Sequence, residues 1–136
     1  MPMRHLRSWL TTLSMCALLA AVISAAADDK KTIADKVYST AQADRGEARF
    51  KTSCSSCHTP GSFSGGAFAE RWSGQTMAEA FDFVSNAMPE NDPGSLKAEE
   101  YVSVLAFILR VNGYPAGDVD LPNDSASLKM IAIDTK

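Results

Sequence analysis

Cys54, Ser55, Ser56, Cys57 and His58 form one contiguous run. Two thiols and an imidazole at this spacing admit four chemistries. A redox dithiol places its Cys-x-x-Cys where a strand enters a helix. Residues 44–53, which precede Cys54, read Asp-Arg-Gly-Glu-Ala-Arg-Phe-Lys-Thr-Ser, and that is not an apolar strand. A zinc site takes four ligands, whereas this run offers three donors and no second cluster follows it. A structural disulfide accounts for the cysteines and leaves the histidine idle. Covalent haem uses all three residues. Each thiol adds across one vinyl group, and two intervening residues let the sulfurs span the porphyrin edge. The next residue then lies under the iron as its proximal ligand. Ser55 and Ser56 are spacers in this reading.

The remaining Cys and His, Cys16 and His5, fall in a segment that reads as an export signal. Arg4 and Arg7 give residues 1–27 a positive start. Residues 10–23 are apolar or small, and Ser24-Ala-Ala-Ala27 precedes Asp28-Asp-Lys-Lys31. Small residues before an abrupt polar run mark a cleavage site, here after Ala27. The apolar run is shorter than the ~18 to 20 residues of a membrane span, so no permanent span is expected. Removing 27 of 136 residues leaves 109 and takes two arginines but no acid. The formal charge moves from −3 to −5. Cys54, Cys57 and His58 are then the only Cys and His left, in an oxidising compartment, the periplasm. An acidic chain without a basic cluster does not suit nucleic acid.

With His58 engaged, a second histidine ligand is not available, and the sixth ligand falls to methionine. Met77 follows Thr76 and precedes Glu79, a capping-box pair that starts a helix. It shares a helical face with Ala80, Phe81 and Val84 and so belongs to the core. Met130 lies in the short tail run 128–133 and reads as packing or surface. Met88 ends the helix and meets Pro89-Glu-Asn-Asp-Pro-Gly-Ser95, a stretch of turn formers. Pro89 holds the preceding residue extended, which suits a side chain aimed inward from a loop. Met88 is the expected ligand.

Three helices must position these groups. Residues 37–51 read as the first, with Gly46 and Phe50 on one face. Gly46 suits a close helix crossing that excludes a side chain. The second starts at Thr76. The third, residues 99–112, carries Tyr101, Val104, Leu105, Ile108 and Val111 as one apolar stripe and stops at Asn112-Gly113. Between motif and second helix lies a Gly/Ser-rich loop holding Phe63, Phe68 and Trp72. The Trp72 indole N–H suits either a haem propionate or a core carbonyl. Glu90 and Asp92 flank Met88 and read chiefly as solvated surface. No segment alternates as a sheet strand. The fold expected is all-α, about three main helices wrapped around one covalent haem, with an extended tail over 118–136.

The order Gly46-x-x-x-Phe50, Cys54-Ser-Ser-Cys-His58, Met88-Pro89 and a final Tyr/Val/Leu helix resembles a class I cytochrome c over about residues 37–117 of a single domain, 28–136. Trp72-Ser-Gly74, Pro93-Gly-Ser-Leu96, Glu100-Tyr101 and Asn112-Gly-Tyr-Pro-Ala-Gly117 narrow the likeness. They resemble the monohaem cytochromes that serve periplasmic quinoprotein (PQQ-dependent) dehydrogenases. The resemblance implies a non-enzymatic electron carrier of the respiratory chain. It would take single electrons from such a dehydrogenase and pass them to an oxidase or another cytochrome. Rival readings are an obligate cytochrome subunit of a dehydrogenase complex, and a gas or peroxide sensor with a labile Met88. The resemblance does not identify the acceptor for the His58 ring; a backbone carbonyl in 60–66 is expected, Pro60 among the candidates. Ser95 is expected to cap the third helix, since Lys97 stands where Ser or Thr is usual.

Overall fold

Nine consecutive residues, Tyr101–Leu109, are buried in one helix. A computed structural model describes residues 30–135, and the predicted export signal at 1–27 lies outside the described residues. The chain runs β1 (Lys31–Thr32), α1 (Thr40–Ser53), a 3₁₀ turn (Pro60–Phe63), α2 (Gly66–Trp72), α3 (Met77–Ala87), α4 (Ala98–Val111), α5 (Ser125–Lys129) and β2 (Ile131–Ala132). The mostly helical class matches expectation.

The enclosed helix is α4. Its sequence suggested a single apolar stripe, but α1, α3 and the 3₁₀ turn all pack against it. A helix covered on several sides is apolar nearly all round. Its buried Ser103 hydroxyl donates to the Glu99 carbonyl at 2.6 Å. The α1–α4 crossing depends on Gly46. A Cβ built there would fall inside the Ser103 carbonyl group and reach the Phe107 Cβ at 3.0 Å. Phe50, one turn on, is buried and meets Phe107 ring to ring at 5.4 Å.

Several boundaries differ from the sequence reading, each for a local reason. α1 begins at Thr40, not 37, because Ser39 is extended and its hydroxyl accepts from Gln42 N–H at 3.0 Å. α4 begins after Lys97, not on a Ser95 cap. Lys has no side-chain acceptor, so the Glu100 carboxylate alone closes this end, accepting from Lys97 N–H at 2.9 Å. The expected loop between the motif and the second long helix contains α2. Its glycines cluster at 61–66, and Ala67-Phe-Ala-Glu-Arg-Trp72 are free to coil beyond Gly65, which turns at φ 58°. The capping box predicted at Thr76 is present with both bonds.

The tail is not simply extended. Asp124 caps the short α5, accepting from Ser127 N–H at 2.8 Å. β2 then pairs in parallel with β1, Lys31 opposite Ile131 and Thr32 opposite Ala132. Ile133 N–H donates to Gln75 at 2.7 Å and its carbonyl accepts from Gly74 N–H at 3.0 Å. Buried Gln42 on α1 clasps Leu121, donating to its carbonyl at 2.9 Å and accepting from its N–H at 2.7 Å. Leu121, Leu128, Ile131 and Ile133 are all buried. The tail thus completes the core.

Candidate functional site

The pentapeptide 54–58 is wound on the end of α1. Cys54 and Ser55 both donate their N–H to Phe50, at 2.9 and 3.0 Å. Cys57 and His58 donate to the Cys54 carbonyl at 3.1 and 2.9 Å, which closes a tight turn. Both thiols are free, Cys54 half-buried and Cys57 exposed. Burial pushes the Cys54 thiol up, while the charge of Arg49 pulls the other way. The Ser55 hydroxyl is spent locally, donating to the Lys51 carbonyl at 2.6 Å.

His58 is half-buried with its ring against Phe63, centroids 5.0 Å apart and planes tilted by 58°. The expected acceptor in 60–66 is not found: among the described residues the His58 ring makes no hydrogen bond. The 3₁₀ turn supplies an aromatic face instead. Phe63 stands edge-on to Phe50 at 6.1 Å, and Phe50 leads on to Phe107 in α4. The loop backbone is held from α4 by Asn112. Its amide donates to the Phe63 and Ile108 carbonyls, both at 2.8 Å, and its oxygen accepts from Gly65 N–H at 3.0 Å. The sequence marked Asn112 only as a helix stop, and nothing local signals this second duty.

Met88 is the C-cap of α3, extended at φ −129° and ψ 150°, as the following proline requires. The Met88–Pro89 peptide is cis. Its N–H ends the helix on Val84 at 2.9 Å, and its carbonyl accepts from the Tyr101 hydroxyl at 2.7 Å. The side chain is half-buried, and Glu90 and Asp92 beside it are exposed. Met77, by contrast, is core at 1% exposure. Met130 is half-buried at the end of α5.

Trp72 ends α2, half-buried, its ring 5.7 Å from that of Phe83 in α3. The Arg71 guanidinium lies over both rings, 4.3 and 4.5 Å from their centroids. The sequence reading passed over Arg71. Among the described residues the indole N–H reaches no carbonyl, so the core-carbonyl alternative has no partner here. No hydrogen bond or ring contact joins His58, Trp72 and Met88 directly. His58 is linked to α4 through Phe63 and Phe50, Met88 is tied to α4 by Tyr101, and Trp72 is tied to α3 by Phe83.

The donor set and its surroundings suit haem. Two free thiols three residues apart precede an imidazole whose nitrogens are unengaged, and a thioether stands at a helix end. Cys54, Phe63, Trp72, Phe81 and Val84 pack on the core yet stay only partly buried, and Phe83 is 42% exposed. A large, flat, apolar group finds in them the surface it would cover. Among the described residues no group of three His, Cys, Asp or Glu side chains could hold a bare metal ion. A cleft of about 810 Å³ between α1, α4 and the tail contains none of these residues. Four of its charged side chains pair with each other, Arg45 with Asp120 and Arg49 with Glu100. No helix among the described residues is long and apolar enough to cross a membrane.

Residues 41–108 match the family model described as cytochrome c oxidase, cbb3-type, subunit III. That span runs from the first turn of α1 through the pentapeptide and Met88 into α4. No curated protein and no solved structure matches the chain.

Proposed function

Because the chain belongs to this family of c-type cytochrome domains, with covalently attached haem c as its cofactor and electron transfer as its general role, we propose that it is a periplasmic carrier of single electrons. Cys54 and Cys57 would hold the porphyrin through thioethers, and His58 and Met88 would hold the iron from its two sides. Haem c, when bound, supplies one-electron exchange between ferric and ferrous iron. The chain's residues do the rest. A neutral imidazole and a neutral, soft thioether favour the ferrous state and raise the potential. With His58 and Met88 both holding the iron, no ligand position would be left for a substrate, which is why an electron carrier fits better than an enzyme. Phe63, Trp72, Phe81 and Val84 would shield a bound porphyrin from water, and the Trp72 N–H would be free to donate to a propionate.

The observation that carries this reading is the pentapeptide itself. It lies inside the matched span as two unpaired thiols and an imidazole free of protein hydrogen bonds. The donor would be a periplasmic dehydrogenase, of the quinoprotein type that the sequence resembles, and the acceptor an oxidase or another cytochrome. Such contacts are small and transient. A formal charge of −5 after export makes docking on a basic face dependent on salt.

The test is spectroscopic. A pyridine haemochrome spectrum should be that of haem bound by two thioethers. The ferric protein should show the weak sulfur-to-iron band at the red end of the visible spectrum, and Met88→Ala should abolish it. A band that survives in Met88→Ala moves the ligand to Met77 or Met130. Rapid carbon monoxide binding by the reduced wild type would point to a sensor with a labile ligand. Co-purification from the periplasm would identify the partner and separate a free carrier from a fixed subunit.

A further inference from the structure

We infer that Tyr101 is the positioning residue for the sixth iron ligand, its hydroxyl holding the Met88 backbone from α4. The inference rests on the proposal that Met88 is that ligand.

Tyr101 is buried at 3% exposure, and one oxygen does two things. It donates to the Met88 carbonyl at 2.7 Å and accepts from Leu96 N–H at 3.4 Å. The same atom therefore grips both ends of the segment 88–96. Between those ends the backbone bonds are local, Asp92 N–H to Pro89 and Ser95 N–H to Asp92. Among the described residues, no hydrogen bond from 89–95 reaches another element. The ring is fixed in turn, since Phe81 of α3 stands edge-on to it at 6.3 Å and 88°. Tyr101 thus joins three parts that must keep register: the end of α3, the Met loop and α4.

The consequence follows from the weakness of a thioether ligand. A Met side chain has three rotatable bonds, so the reach of its sulfur depends on where its Cα sits and which way the backbone leaves. The Met88 N–H is fixed by Val84 and its carbonyl by Tyr101. With the second bond removed, the carbonyl turns toward water and the loop gains conformations in which sulfur and iron do not meet. A competing ligand then displaces Met88 more easily.

Tyr101→Phe removes the hydroxyl and keeps the ring. Tyr38→Phe is its matched control: Tyr38 is buried at 1% and donates to the Tyr114 carbonyl at 2.6 Å, outside 88–96. Tyr38→Phe loses one hydrogen bond and Tyr101→Phe two, the second being the long one from Leu96 N–H, so both should lose stability in urea. The distinguishing readout is titration of the ferric holoprotein with imidazole. Tyr101→Phe should bind it about tenfold tighter, the equivalent of one lost hydrogen bond, and should lose the sulfur-to-iron band at lower imidazole. Tyr38→Phe should match the wild type. Equal affinities in all three proteins, or equal rises in both variants, would overturn the inference. Persistence of the band in Met88→Ala would instead place the fault in the ligand assignment beneath it.

Discussion

Glu100 has two partners at the start of α4. Its carboxylate accepts from Lys97 N–H and pairs with Arg49 of α1. The backbone bond first, and the Arg49 charge after it, hold this carboxyl below its ordinary value of 4.5. A carboxyl whose pKa is depressed in the folded state stabilises the fold above its unfolded pKa. That stability is lost as pH falls through the folded value. Glu100→Gln should therefore be less stable than wild type near pH 7, and the gap should shrink as pH falls below 4.5 and through the lowered folded value. Guanidinium midpoints across that range will check it, and a constant gap would show that the charge is irrelevant. Legibility was uneven among single residues. The pentapeptide could be read because its chemistry rests on contiguous residues, and Met88 could be read as a helix end because a proline follows it. Asn112 and Tyr101 could not, because their functional partners lie far along the chain and carry no local mark. The missing His58 acceptor belongs with these, since only the fold reveals that Phe63 takes that side of the ring with its face.

Helix α1 delivers Cys54 only as well as its crossing with α4 is held. At Gly46 the backbones meet with no room for a methyl group. Gly46→Ala must push the two helices apart and should cost about 3 kcal/mol, at the upper end for overpacking. Urea denaturation of the holoprotein measures it, and a loss below ~0.5 kcal/mol would mean that the crossing tolerates a side chain. The crossing was legible from Gly46 and Phe50 at four-residue spacing, and α3 from its capping box. What escaped were features set by surroundings. A stripe count sees one face of α4, but α1, α3 and the 3₁₀ turn cover several. Helix α2 hides behind a glycine-rich approach that reads as loop. Lys97 caps nothing with its side chain, and the acid three residues later does the work alone.

The whole chain is closed by its tail, and Gln42 is the clasp. Its amide meets both the N–H and the carbonyl of Leu121 inside the protein. Gln42→Ala strands both groups and should cost about 2 to 3 kcal/mol, the range for buried polar groups left without partners. Hydrogen exchange should rise at Leu121 and downstream before it rises in α4. Uniform exchange across the protein would mean that tail and helices open together. The mostly helical class, with the haem segment between the first and second long helices, was visible in the sequence. The tail's helix, strand pair and clasp were not, because short segments gain order only from the partners they meet.

Ile131, Ala132 and Ile133 bond to β1 at one end of the described chain and to Gly74 and Gln75 in its middle. They are made well after the pentapeptide, because synthesis runs from the N-terminal residue onward. When the pentapeptide emerges, residues 59–136 have yet to follow, and the strand pair that shuts the molecule does not exist. Cys54, half-buried at the end, is then still open to solvent. The order of synthesis thus puts closure last: residues 131–133 join β1 to Gly74 and Gln75 only after the pentapeptide and the long helices have been made.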